Sequence, residues 1–202
     1  MPVPFRSKFI IWNGMLIWLG LFYYGPQWLP LKAPYELTPS VLDQAIPFIP
    51  QTAWIYQSLF LLLPLATFVQ PDWVSLRRFA LGFCLLVLTF SAIFWVFPTE
   101  LLVPLPNADV SWGYDHLVRE VDGRRNAFPS LHAALTTFAG TSILLVFRRR
   151  RSVFVLTALW MTALLISTLT TKQHICLDSL VGAIAGVAAI LSVKVSANRI
   201  MS

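Results

Sequence analysis

The sequence predicts an all-α integral membrane protein, a bundle of six transmembrane helices forming one domain over residues 1–202. Three observations predict it. Hydrophobic residues make up 57% of the chain. Charged residues make up 12%, about half of the roughly 25% found in ordinary soluble domains. The apolar residues also fall into six runs of span length, and six spans of about 20 residues would use about 120 positions. This arithmetic excludes a large soluble domain, a disordered chain and a disulfide scaffold. Cys84 and Cys176 provide neither a disulfide framework nor metal-ligand spacing, and Cys84, inside an apolar run, is expected to be a buried free thiol.

The predicted helices cover about 9–24, 53–69, 79–97, 130–147, 153–170 and 175–195. The first follows Arg6 and Lys8 as a signal peptide would, but the sequence runs on as FYYGPQWLP without a small-residue cleavage site, so it reads as a retained helix. Residues 25–52 carry Pro26, Pro30, Pro34, Pro39, Pro47 and Pro50 and read as an irregular or interfacial connection. Trp28, Tyr35 and Trp54 suit an aromatic belt. Pro64 should kink the second helix, a defect that neighbouring helices tolerate. The long polar stretch 98–129 is expected to be an outward loop at the active site. In the last helix, Gly182 and Gly186 with Ala183 and Ala185 make a small-residue stripe suited to close packing.

Fifteen Lys and Arg against nine Asp and Glu give a net charge of +6. In a membrane protein this charge reports topology rather than nucleic-acid binding. With six spans and a cytoplasmic amino terminus, the inner side receives Arg6, Lys8, Arg77, Arg78, Arg148–Arg151, Lys194 and Arg199. The outer side receives Lys32, Arg119, Arg124, Arg125 and Lys172. Loop 98–129 and turn 171–174 then face outward. The expected setting is a bacterial inner membrane, with cytoplasmic termini and a periplasmic or external site.

The polar residues at that face carry the chemistry. His132 opens the fourth helix and His174 the sixth, with Asp178 four residues after His174 on the same helical face. An ionisable residue inside a span is costly and suggests function. A carboxylate bonded to one imidazole nitrogen fixes the tautomer and leaves the other nitrogen nucleophilic. A second imidazole could protonate a leaving oxygen. Arg119, Arg124, Arg125 and Lys172 could clamp a phosphoryl group. Pro129 is expected as the first helical residue, capped by Asn126 or a neighbour, with Ser130 and the first-turn N–H groups forming an anion site. His116 reads as an interfacial residue beside Trp112 and Tyr114.

Phe128–His132, read FPSLH, and His174–Asp178, read HICLD, resemble the type-2 phosphatidic acid phosphatase superfamily over roughly residues 79–190. Its pattern is K-x6-R-P, then P-S-G-H, then S-R-x5-H-x3-D, on six membrane helices. The P-S-L-H variant, with Asp122 and Asn126 spaced D-x-x-x-N and the T-K-Q-H string, is most similar to the branch that includes inositol phosphorylceramide synthases. The resemblance implies that His174 is the nucleophile forming a phosphohistidine, that Asp178 orients it, that His132 is the general acid and that Ser130 contacts phosphate. It implies no metal and no cofactor. The implied substrate is a membrane lipid phosphate in the bilayer, with no nucleic acid and no obligatory protein partner.

Two departures stand out. Ser167 occupies the serine of S-R-x5-H, but Thr168 stands where the arginine should be, and no K-x6-R-P precedes Ser130. Lys172, Arg124 and Arg125, then Arg119, are the candidate replacements. The expected activity is hydrolysis of a lipid phosphomonoester or pyrophosphate. The alternative is headgroup transfer to an alcohol, of the inositol phosphorylceramide or phosphatidylinositol synthase type. A haem carrier ligated by the two histidines and an ion transporter using the Asp–His pair are the competing classes. The first leaves Asp178, the P-S-x-H turn and the cationic loop unexplained, and the second needs a polar path across the bilayer, of which the inner halves of the helices show nothing beyond scattered Ser and Thr.

Overall fold

A computed structural model describes residues 2–103, 114–119 and 125–200, the side chains of Leu117, Arg119 and residues 194–200 excepted. The elements in chain order are α1 (Phe5–Trp28), β1 (Tyr35–Leu37), α2 (Val41–Ala45), a 3-10 turn (Pro50–Thr52), α3 (Ala53–Gln57) and α4 (Leu59–Phe68). They continue with α5 (Trp73–Val96), β2 (Thr99–Leu101), a π-helical turn (Asp115–Arg119), α6 (Leu131–Val146), α7 (Arg151–Thr170) and α8 (Cys176–Ile200). The protein is an all-α membrane bundle. Four helices among the described residues, α1, α5, α7 and α8, are long and apolar enough to cross a membrane.

The other two apolar stretches depart from simple spans. Residues 53–68 are broken at Ser58, whose hydroxyl donates to the Ile55 carbonyl (2.6 Å) and accepts from Trp160 Nε1 (2.8 Å). A side chain bonding the preceding turn competes with the helical ladder. Pro64 lies within α4. Helix α6 has 16 residues, about 24 Å at 1.5 Å per residue, against a hydrocarbon core of roughly 30 Å. It occupies the centre of the bundle, packed by α8, α7 and α4. Leu135, Phe138 and Ile143 of α6 join Leu62 and Leu63 of α4 and Phe79, Phe83 and Phe90 of α5 in the main core.

Helix α1 runs through Pro26 to Trp28, so the start of the proline-rich connection is helical. The rest of that connection contains β1 and α2, and β1 pairs in parallel with β2 from the stretch expected to be a loop. Cys84 is a half-buried free thiol, rather than a buried one. At the opposite end of the bundle, Lys8 Nζ donates to the carbonyls of Phe68 (2.6 Å) and Gln70 (2.7 Å). Gln70 Nε2 in turn reaches Ser142 Oγ (3.0 Å).

The seam between α6 and α8 determines what the bundle can do. A Cβ on Gly182 would overlap the Ser130 carbonyl, and one on Gly186 would overlap the Ala134 carbonyl and Thr137 Oγ1. The absent side chains let the two backbones touch, as small residues do between membrane helices. Thr137 Oγ1 crosses the seam to the Ala183 carbonyl (2.9 Å). Replacing Gly186 by Ala should therefore destabilise the protein by about 1–3 kcal/mol or more, the usual cost of overpacking. Gly14→Ala, at a site where a Cβ meets nothing within 4 Å, should be near neutral. Thermal unfolding in detergent measures both variants.

Candidate active site

The seam brings two chain segments together at one end of the bundle. The first is the turn from α7 into α8. Lys172 follows α7 with φ 55°, and the His174 N–H reaches back to the Thr168 carbonyl (3.1 Å). The imidazole is thereby held at the mouth of α8, and His174 is 9% exposed. Its Nδ1 lies 3.1 Å from Asp178 Oδ2 and 3.1 Å from the Ala127 carbonyl. Both neighbours are acceptors, so Nδ1 carries the proton and, in the neutral ring, Nε2 carries the lone pair. Asp178 is fully buried.

The second segment is the approach to α6. Asn126 sits at φ 58°, a left-handed conformation that Asn tolerates better than most residues. Its Nδ2 donates to the Tyr23 carbonyl at the end of α1 (3.0 Å). The Phe128 N–H donates to Thr99 Oγ1 of β2 (2.8 Å). Ser130, fully buried, is the N-cap of α6, its Oγ accepting from the Ala133 N–H (3.1 Å). This corrects the expected start of the helix: Pro129 lies outside it and Asn126 does not cap it, because the Ser130 hydroxyl satisfies the first-turn donor. The Ser130 N–H donates to the Asp178 carbonyl (3.1 Å), one backbone bond joining the two segments.

His132 lies in the first turn of α6. Its ring stacks on Tyr56 of α3, with centroids 3.8 Å apart and planes 17° off parallel. Its Nε2 is buried without a hydrogen-bond partner. His132, His174 and Asn126 line one cavity of about 410 Å³, whose remaining walls come from α1, α3, α4 and α6. A second cavity of about 550 Å³ also has His174 in its wall, with Lys172, Asp43 and Gln44.

A strap of residues 39–52 fixes the His174 turn. Asp43 Oδ1 accepts from the Cys176 N–H (2.7 Å), capping α8 from outside and placing a carboxylate at the positive end of that helix. Asp43 Oδ2 accepts from the Ser40 N–H (2.8 Å) and hydroxyl (2.6 Å). Lys172 Nζ donates to the carbonyls of Asp43 (2.8 Å) and Ile46. The Ile49 N–H meets the Thr170 carbonyl (2.9 Å) and Thr52 Oγ1 meets Thr170 Oγ1 (2.8 Å). Tyr114, beside the π-helical turn, donates to the Thr171 carbonyl (3.2 Å), and His116 is exposed.

The structure thus brings His132, His174, Asp178 and Ser130 together. It directs the Lys172 ammonium at strap carbonyls while leaving the residue on a cavity wall beside His174. Arg125 is exposed and donates to the Gln27 carbonyl (3.2 Å). Arg124 and the side chain of Arg119 lie outside the described residues. Ser167 and Thr168 are buried, and Thr168 Oγ1 pairs with Ser179 Oγ (3.1 Å), a neutral contact at the position where the sequence pattern called for an arginine. Sequence reasoning missed Asp43, Tyr56 and Thr99. Only Asp43 left a signal, since Ser40 and Asp43 have the spacing of a capping box.

A family model described as the PAP2 superfamily matches residues 26–192. No curated protein and no solved structure matches the chain.

Asp43 yields a pH test. Burial opposes its charge, but the hydrogen bonds from Ser40 and Cys176 outweigh burial and lower its pKa to about 2, from an unfolded value of about 3.9. A depressed folded pKa gives stability that is complete above the unfolded value and lost as pH falls through the folded one. Detergent-solubilised protein should lose this contribution between about pH 4 and pH 2. Asp43→Asn should be less stable at neutral pH and should lack that part of the acid limb in thermal unfolding.

Proposed function

Because the chain belongs to the PAP2 superfamily, a group of phosphatase- and phosphotransferase-type proteins, we propose that it is a metal-independent membrane phosphatase. Its substrate would be a lipid phosphomonoester or pyrophosphate, hydrolysed through a phosphohistidine on His174. The observation that carries this reading is His174 Nδ1 held between Asp178 and the Ala127 carbonyl, with His132 on the same cavity.

His174 Nε2 attacks phosphorus, and the P–O bond to the lipid breaks in line. Its electron pair leaves on the lipid oxygen, which takes a proton from His132. Asp178 holds the His174 ring and stabilises the positive charge that the ring acquires. His132 then accepts a proton from water as the water attacks phosphorus and the P–N bond breaks. This releases phosphate and restores His174. At the start of α6, the N–H groups of Leu131 and His132 have no acceptor within the helix and favour an anion there. Lys172 and Arg125 add positive charge at the borders of the site. The site would face outward, a reading supported by the basic Arg148–Arg151 run lying at the opposite end of α6.

The second cavity favours one further reading. A group retained on phosphorus would have room beside Lys172 and Gln44, as transfer of a headgroup to an alcohol requires.

His174→Ala should abolish phosphate release, Asp178→Asn should reduce it at least about 10²-fold, and His132→Ala should reduce it roughly 10²- to 10⁴-fold, the range of general acid–base catalysis. All three should remain folded. Full activity of His174→Ala would remove the proposed nucleophile. Purified protein incubated with lipid phosphomonoesters or pyrophosphates should release free phosphate; a new phospholipid formed from a phospholipid plus an alcohol would instead establish transfer. Vanadate, which mimics five-coordinate phosphorus, should inhibit, and EDTA should leave the rate unchanged. Loss of activity in EDTA, restored by a divalent cation, would contradict the mechanism.

A further inference from the structure

The cavity that holds the two imidazoles is lined mostly by apolar groups. Besides His132, His174 and Asn126, Gln57 and three tyrosines (Tyr23, Tyr24 and Tyr56) line it, and the rest of its wall is hydrocarbon: Leu16, Leu19 and Gly20 of α1, Leu59 and Phe60 of α4, and Leu131 and Leu135 of α6. On α1 the wall residues 16, 19, 20 and 23 are spaced i, i+3, i+4, i+7, one stripe of a helix. The helices on either side expose apolar residues to the bilayer, Leu16 at 39% and Phe60 at 43% among them. The polar end of α1 is tied to the site by the Asn126 bond to the Tyr23 carbonyl.

We propose that this apolar part of the cavity binds one hydrocarbon chain of the phosphorylated lipid, and that α1 sets which chain lengths are accepted, with Gly20 as the position that keeps the channel open. The inference rests on the function proposed above and adds to it the residues that select the substrate. A cavity of about 410 Å³ falls within the ~300–1,000 Å³ of ligand sites lined mainly by apolar groups with a few polar groups fixing orientation. The chain would lie with its phosphate end at the imidazoles and its tail toward the lipid-exposed faces of α1 and α4. Gly20 contributes empty space, since a Cβ there meets nothing within 4 Å. The family match begins at residue 26, so the α1 stripe is a feature of this chain outside the matched segment.

The same property makes Gly20 a clean test. Gly20→Leu should fold, because its new side chain enters open space, yet it should shorten the channel. The readout is the ratio of kcat/KM for a long-chain lipid phosphate to that for a short-chain alkyl phosphate, in detergent micelles. Gly20→Leu should lower this ratio about 10-fold or more, since a single methylene in an apolar pocket is worth at least that. Gly14→Leu, on the same helix and also in open space but off the cavity, should leave the ratio unchanged. An unchanged ratio in Gly20→Leu overturns the proposal, as does an equal fall in both variants. If the wild-type protein releases phosphate from neither substrate, the functional reading fails and the chain site is decided separately by crosslinking. A long-chain lipid phosphate carrying a diazirine near its tail should label α1 or α4 in the wild-type protein and lose that label in Gly20→Leu. Labelling confined to other helices overturns the proposal.

Discussion

The constraint on which the site depends is the backbone contact between α6 and α8. Gly182 and Gly186 carry no side chains, so the Ser130 and Ala134 carbonyls lie against α8, and the Ser130 N–H bonds the Asp178 carbonyl. This contact converts two distant sequence motifs into one locus. Without it, His132 and His174 would sit at the tops of separated helices, each a lone polar residue in an apolar wall. With it, one carboxylate, two imidazoles and the amino end of α6 share a small volume, the arrangement that the proposed phosphoryl chemistry needs.

Around that seam the extramembrane segments behave as braces. β2 holds the approach to α6 through Thr99, and strap 39–52 holds the approach to α8 through Asp43, Lys172 and the Thr170 contacts. A nucleophile at a helix mouth needs such support, because a loop-borne imidazole would otherwise lose the orientation that fixes its tautomer. Tyr56 does the equivalent for His132 by stacking. The helices supply the positions and the irregular segments supply the aim. Asp43 shows how far apart these parts lie in sequence, since it caps a helix that begins at Cys176.

The legible part of this design was the part written in hydrophobic runs and local spacing. Six apolar stretches gave the membrane bundle, and H-x3-D placed Asp178 on the His174 face because helical spacing is local. The P-S-L-H turn and the glycine stripe were legible for the same reason. Contacts made by a few polar atoms across long separations were not. Asp43 and Cys176 are bonded across a gap that no periodicity encodes. Nothing local marks Tyr56 as the stacking partner of His132, and the charge of Lys172 is visible in the sequence where its bonds to the carbonyls of Asp43 and Ile46 are not. The first helical residue is Leu131 rather than Pro129, two positions later, because both Pro129 and Ser130 are good helix-start residues and only the Ser130 hydroxyl bond decides between them. The break at Ser58 likewise depends on Trp160, a partner on another helix.

The proposed mechanism turns on covalent phosphorylation of His174. Rapid quenching of the purified protein with a lipid phosphate labelled at phosphorus addresses it directly, followed by peptide mapping under alkaline conditions that preserve phosphohistidine. An acid-labile, alkali-stable label should appear on the peptide containing His174, formed during turnover and lost as free phosphate appears. Turnover that proceeds with no trapped phosphoprotein and inverts configuration at phosphorus, or a label that maps to another residue, would contradict it.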